Sequence, residues 1–251
     1  MADSVLLLGN PVSRSLSPLM QNAAFAALGI DCRYEVREVD RSGLADAVAE
    51  LRANERILGA NVTIPHKEAV IPLLDDIDLQ AARIGAVNTI SRHGSRLKGS
   101  NTDVIGFQRA LEEQSISSRR VAIIGAGGAA RAVAAALQPT ADQVWVIARN
   151  LDQARQLCRD LEIVRGGAVD ANQMQDTVAA ADLVVNATPA DLPPEGWLRP
   201  GQHLFDLRSR RSVEGRAMLL NQGAASFEIW TGRQAPIEVM KAALDRASVP
   251  A

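Results

Sequence analysis

The stretch Val121-Ala-Ile-Ile-Gly125-Ala-Gly-Gly-Ala-Ala-Arg131 decides the fold. Its apolar start reads as a buried strand, its glycines as a tight turn and its alanine-rich continuation as a helix, the context a dinucleotide-binding turn requires. Gly125 permits the turn, and Gly127 or Gly128 lets backbone N–H groups approach a pyrophosphate beside the positive helix N-terminus. Ala130 allows close helix-to-strand packing. A glycine turn without a ligand is the alternative, and the strand and helix on either side weigh against it. The next strand, Gln143 to Ile147, is followed by Arg149-Asn150. An arginine there offers charge-assisted bonds to a 2'-phosphate, and no acid ends the strand itself, so NADP is favoured over NAD. Asp152, three residues on, is the group that would instead face a ribose hydroxyl.

Outward from this unit, short β-rich runs alternate with helical-period stretches. Toward the N-terminus these are Val5 to Leu8, a helix from about Ser17 to Leu28, Tyr34 to Val39, a helix from about Gly43 to Ala53, and Gly59 to Val62. Alternation of this kind specifies an α/β sheet with crossover helices. A hairpin turning at His93-Gly94 spans roughly Ala86 to Gly99, and Asp103 then opens a helix toward Gln114. Polar Ser115 to Arg120 is the best hinge. On the C-terminal side come Leu183 to Val185 and a proline-rich loop from Pro189 to Pro200. The expectation is a substrate-binding domain over 1–102, completed by a C-terminal helix at about 235–251, and a Rossmann-like domain over 103–234.

Composition narrows the function. The 251 residues carry 27 Lys plus Arg against 29 Asp plus Glu, a net charge of −2, so no global positive field recruits nucleic acid and a small ligand is expected. No apolar run approaches the ~18 residues of a membrane span, and the N-terminus lacks the pattern of a signal peptide. Cys32 and Cys158 are too few for a disulfide framework and show no metal-ligand spacing. They read as buried hydrophobes of a cytoplasmic protein, and no metal is expected. The three histidines, His66, His93 and His203, show neither triad nor metal spacing and read as structural or solvent-facing.

Several small polar clusters are hard to explain as packing: Ser15-Leu-Ser17-Pro18, Asn61-Val-Thr63-Ile-Pro65-His-Lys67, Ala86-Val-Asn88-Thr89 and Asn101-Thr102-Asp103-Val-Ile-Gly106-Phe107. With Gly125 to Arg131, Asn186-Ala-Thr188-Pro189 and Met218-Leu-Leu-Asn-Gln222-Gly-Ala, they resemble the shikimate dehydrogenase family in order and spacing over nearly the whole chain. The resemblance implies an N-terminal substrate domain, a dinucleotide domain across a cleft, and NADP-dependent interconversion of 3-dehydroshikimate and shikimate. It makes Lys67 and Asp103 the catalytic pair. A lysine beside a carboxylate suits the chemistry, because reducing a ketone needs a proton as well as a hydride. Desolvation would lower the lysine's proton affinity while the carboxylate would raise it. Ser15 and Ser17 match the binders of the substrate carboxylate, and Ser17 is also placed to cap the helix through Pro18. Thr63, Asn88 and Gln222 match partners of ring hydroxyls or the carboxylate. Gly125, Gly127, Gly128, Ala129, Arg149, Asn186 and Thr188 match the cofactor side. As a bland alternative, Lys67 is a helix-start lysine and Asp103 an N-cap.

Departures from the family pattern leave two further readings. The substrate becomes quinate or another ring hydroxy acid, or the chain is a catalytically weak ligand-sensing homologue. Under any of these readings a monomer or homodimer is expected. Arg14 stands where the family usually has histidine, and Gln21 replaces another. Only eight residues, Leu207 to Glu214, separate Asp206 from Gly215, where the family runs through a Tyr-x-Pro loop, a helix and a short strand. A crossover between parallel strands needs at least ~10 to 12 residues. One helix and the sixth strand are therefore missing, together with the family's tyrosine, since the only tyrosine is Tyr34. The sheet should end near Leu204 to Leu207 and lead into a helix from about Ala217 to Trp230, with Gln222 at its start. Arg208, Arg210 and Arg211 lie in a basic loop that reads as a solvated tether, able to guard the exposed edge.

Overall fold

The computed structural model describes residues 2–116 and 118–247. In chain order the first stretch forms β1 (Asp3–Gly9), α1 (Ser17–Ala27), β2 (Cys32–Glu38), α2 (Leu44–Ala53), β3 (Ile57–Val62), β4 (Asp76–Ile77), α3 (Leu79–Ile84), β5 (Thr89–His93) and β6 (Arg96–Ser100). Then come α4 (Asp103–Glu113), β7 (Arg120–Ile124), α5 (Gly128–Leu137), β8 (Gln143–Ala148), α6 (Leu151–Asp160), β9 (Gly166–Asp170), α7 (Met174–Ala180), β10 (Leu183–Asn186) and β11 (His203–Asp206). The chain ends in α8 (Val213–Thr231) and α9 (Ile237–Asp245). No helix among the described residues is long and apolar enough to cross a membrane.

The chain divides into two compact units, one of residues up to Thr102 and from Leu219 on, the other Asp103–Met218. In the first, the strand order is β2-β1-β3-β5-β6-β4. β1 runs parallel to β2 and β3, whereas β5 is antiparallel to β3 and β6. Strand periodicity separates two cores: Val5 and Leu7 join Met20, Phe25, Phe227 and Met240, while Leu6 and Leu8 join Val48, Leu51 and Ile90. Because β5 is antiparallel, its first residues lie at the same edge of the sheet as the last residues of β1, β3 and β6. That edge gathers Ser15, Thr63, Asn88 and Thr102 from loops distant in sequence.

The second unit holds a parallel sheet in the order β11-β10-β7-β8-β9. The chain winds from β7 out through β8 to β9, then returns to β10 on the other side of β7. The strand order therefore reverses beside Gly125, where open α/β sheets take their ligands. α4 packs within this unit, and its Phe107 ring sits 4.7 Å from that of Phe205. The polar stretch 115–120 is thus internal to the unit and is not the hinge expected of it, while Ser117 lies outside the described residues. The return to the first unit also comes at residue 219, earlier than about 235, because Leu220, Ala224 and Phe227 are buried in the first unit's core.

β11 is the last strand of its sheet among the described residues, as the short interval to Gly215 requires. α8 begins at Val213 rather than near Ala217, because the Ser212 hydroxyl accepts from the Gly215 N–H at 2.8 Å and donates to the Asp206 carbonyl. A Cβ at Gly215 would stand 2.5 Å from the Asp206 carbonyl oxygen, so this close join admits only glycine. The basic loop is a solvated tether only in part: Arg210 and Arg211 are exposed, whereas Arg208 turns in and closes on Asp206 and Asp191.

Candidate active site

In the first unit a connected set of neutral polar side chains lines the gathered edge. Ser15 Oγ lies 3.2 Å from Ser17 Oγ and accepts from the Ser17 N–H at 3.2 Å. Ser17 is not the cap expected of it: it is already the first residue of α1, Leu16 holds the N-cap position without a side-chain bond, and Ser15 Oγ takes the first N–H of the helix. Ser17 in turn bonds Tyr34, whose hydroxyl donates to Asn61 Oδ1 at 2.8 Å. Burial holds the Tyr34 hydroxyl well above the ordinary phenol range, so it serves as a neutral donor. The Asn61 amide donates to Asn88 O at 3.0 Å and to Thr89 Oγ1 and Ser226 Oγ at 3.1 Å. Ser226 lies 2.8 Å from Thr89 Oγ1 and 3.0 Å from Thr102 Oγ1. Asn88 Oδ1 accepts from the Thr102 N–H at 2.8 Å, and its Nδ2 lies 3.4 Å from Gln222 Oε1. Gln222 sits mid-way along α8 rather than at its start.

Tyr34, Thr89 and Ser226 are members of this network to which motif reading gave no role. The available signals were the inward alternation of Cys32 and Tyr34 along β2 and the one-turn spacing of Gln222 and Ser226.

Lys67 is half-buried in the turn after β3. The Val87 N–H donates to its carbonyl at 2.7 Å, and His66 anchors the same turn. The His66 ring is fully buried with Nε2 2.7 Å from the Val39 carbonyl, which only accepts, so Nε2 carries the proton. Thr63, half-buried, donates its N–H to Leu8 O at 2.9 Å. Asp103 is buried as the first residue of α4, one residue beyond Thr102. Among the described residues no group of histidines, cysteines or acids could hold a metal ion. Both cysteines are free and buried, and burial lifts the Cys32 thiol to about 12.

In the second unit the groups that could hold a dinucleotide are mainly backbone. Gly125 has φ +116°, and a Cβ there would meet Thr188 Cγ2 at 3.1 Å and Ala187 O at 3.2 Å. Nothing stands within 4 Å of a Cβ built on Gly127. α5 begins at Gly128 without a side-chain cap, so the first N–H groups, Ala129 among them, are available to a phosphate. Ala130 is fully buried under this turn. Arg149 is exposed just past β8, and Asn150 caps α6 through Gln153 N. Asp152 pairs with Arg155 at 3.2 Å. Asn186 Oδ1 accepts from Thr188 N and Oγ1 at 3.1 and 2.8 Å, which folds the loop after β10 toward Gly125. These groups fit a 2'-phosphorylated dinucleotide.

Comparison with known proteins places this geometry in a family. The shikimate dehydrogenase substrate binding domain matches residues 7–90, shikimate / quinate 5-dehydrogenase residues 108–194, and the shikimate 5'-dehydrogenase C-terminal domain residues 215–244. The NADP(+) shikimate dehydrogenase of Moorella thermoacetica is 46% identical, over 97% of this chain and 92% of its own. The shikimate 5-dehydrogenase of Thermus thermophilus, solved with NADP(H) and shikimate, superposes with a TM-score of 0.85 at 34% identity, covering 99% of this chain and 100% of that one. A quinate dehydrogenase of Corynebacterium glutamicum in complex with NAD reaches the same TM-score at 27% identity, covering 98% and 99%. With two α/β units, the second Rossmann-like, and this likeness along nearly its full length, the chain belongs to the shikimate dehydrogenase family.

Proposed function

We propose that the chain is an NADP-dependent oxidoreductase that reduces 3-dehydroshikimate to shikimate and runs the reverse reaction. The observation that carries this reading is the buried neutral network from Ser15 to Gln222, in a chain so similar to NADP-dependent shikimate dehydrogenases. Short neutral donors and acceptors suit ring hydroxyls, which a charged lining would serve poorly. Ser15 and Ser17 hold the substrate carboxylate where the N-terminus of α1 favours negative charge. Thr63, Asn88 and Gln222 take the hydroxyls and fix the ring.

When bound, NADPH would supply the hydride that the carbonyl carbon receives. Lys67 donates a proton to the carbonyl oxygen as the bond order falls, and in the reverse direction it takes the proton from the hydroxyl. Asp103 is the carboxylate member of this acid–base pair. Gly125, Gly127, Gly128 and Ala129 bind the pyrophosphate through backbone N–H groups, Arg149 the 2'-phosphate, and Asn186 with Thr188 the nicotinamide half. Unpaired buried cysteines support a cytoplasmic location.

The test is nucleotide reduction by the purified protein with shikimate and with quinate, each with NADP⁺ and NAD⁺. Fastest turnover with shikimate and NADP⁺ is expected. A preference for quinate reassigns the substrate, and binding without turnover makes the chain a sensor.

A further inference from the structure

We infer that Arg208 is a positioning residue for the nicotinamide cofactor, tying together by side-chain bonds the loops that follow β10 and β11. The inference rests on the proposed cofactor role of Asn186 and Thr188. β10 and β11 end side by side, Asn186 opposite Asp206. The Asn186 amide donates to Ala190 O at 2.8 Å and lies 3.4 Å from Asp206 Oδ1, while the Ala190 N–H donates to Thr188 Oγ1 at 3.2 Å. From the other strand, Asp206 accepts from the Arg208 backbone N–H at 3.0 Å and from Nε at 2.9 Å, with Nη2 completing the fork. Nη1 of the same guanidinium donates to Asp191, next to Ala190.

The bonds close a circuit: Arg208, Asp206, Asn186, Ala190, Asp191 and back to Arg208. Thr188 lies inside it. The loop so held stands against the glycine turn, since Thr188 Cγ2 and Ala187 O are the atoms nearest a Cβ on Gly125. A small shift of residues 187–188 therefore changes the room above the turn that takes the pyrophosphate. The two legs differ in weight. Asp206 is 8% exposed and Asp191 70% exposed, so the first leg is shielded from water and the second largely screened. Only a guanidinium offers planar donors to both carboxylates at once; a lysine is a single point charge. Leu207 to Glu214 are too few residues for a crossover, and Arg208 lies within that interval.

The experiment measures dissociation constants of NADP⁺ and of shikimate separately for wild type, Arg208→Lys, Arg208→Ala and Thr188→Val. Arg208→Lys should weaken NADP⁺ by about ten-fold and leave shikimate binding, a property of the other unit, unchanged. Added guanidinium ion should restore part of the NADP⁺ affinity of Arg208→Ala, a rescue that a general loss of folding would not show. If Thr188→Val weakens NADP⁺ while Arg208→Lys stays within about two-fold of wild type, Arg208 is no positioning residue and the inference falls. If neither variant changes NADP⁺ affinity, the cofactor reading of the 186–190 loop fails and takes the inference with it.

Discussion

In residues 2–102 and 219–247 the candidate site is made of side chains that bond one another, whereas in residues 103–218 it is made mostly of backbone that glycine leaves open. Asn61, Thr89, Thr102 and Ser226 are at most 6% exposed and share four hydroxyl or amide groups among at least five bonds. Removing one orphans its neighbours, because each buried polar atom has already given up water. Gly125 and Gly127 work the other way, by what they lack: Gly125 is set by the end of β7 and a positive φ, and a side chain at either position would fill the space the ligand needs. The first unit buys recognition of a small polar ring with preorganised partners. The second binds a long charged cofactor by shape, leaving few side chains to choose between dinucleotides.

The comparison predicts where chemistry can be lost without loss of binding. Lys67 is half-buried and is the proposed proton donor of the first unit, so Lys67→Ala should cut turnover by ~10² to 10⁴ while shikimate affinity changes far less. Initial rates beside calorimetric titration with shikimate decide it. Near-normal turnover with a raised KM would make Lys67 one more binding group. In the second unit the largest single side-chain effect should come from Arg149→Ala, which narrows the preference for NADP⁺ over NAD⁺ by ~1.5 to 3 kcal/mol, roughly ten-fold to a hundred-fold. Equal affinity for both nucleotides in wild type would remove Arg149 from the choice.

The difference between the units also governs what the sequence discloses. A glycine turn between an apolar run and an alanine-rich helix is a local pattern, so β7, the turn and α5 are legible residue by residue. The hairpin of β5 and β6 and the end of the second sheet at β11 are equally local, being matters of turn residues and chain length. The network is not local: Tyr34, Asn61, Thr89, Thr102 and Ser226 meet only because an antiparallel strand brings its start to the ends of its neighbours. β9 escaped notice because Gly166-Gly167 opens it with little β-propensity. Ser17 reads as a cap but is the first helical residue, since Pro18 can occupy the second as well as the first helical position. Arg208 read as solvated because its partners, Asp191 and Asp206, become neighbours only when β10 and β11 pair.

Ser226→Ala sharpens the contrast on the stability side. Its hydroxyl lies 2.8 Å from Thr89 and 3.0 Å from Thr102 and accepts from Asn61, so truncation leaves buried partners unsatisfied at ~1 to 3 kcal/mol. For a chain of this length that lowers Tm by roughly 2 to 4 °C per kcal/mol. NADP⁺ affinity should stay unchanged, because none of these partners belongs to the second unit. A drop in NADP⁺ affinity as large as that in shikimate affinity would erase the distinction between the two sites.

The smallest effect is expected at Asp152, and it separates two accounts of cofactor choice. If this carboxylate met the ribose, Asp152→Asn would remove a charge-assisted bond and weaken NAD⁺ selectively. The structure gives it another occupation: its side chain is 89% exposed and pairs with Arg155, itself 55% exposed, at a spacing of three residues. Such a pair contributes no more than about 0.5 kcal/mol, and the favourable placing of an acid in the first turn of α6 adds a similar amount. Exposed charges are further screened at physiological ionic strength over about 8 Å. Asp152→Asn should therefore lower stability by less than about 1 kcal/mol. It should leave NAD⁺ affinity within about two-fold of wild type and favour NADP⁺ only slightly, through the loss of one negative charge near the 2'-phosphate. Nucleotide titrations at low and high salt distinguish the cases: a selective ten-fold loss of NAD⁺ affinity that persists in high salt would place Asp152, not Arg149, at the point where the cofactor is chosen.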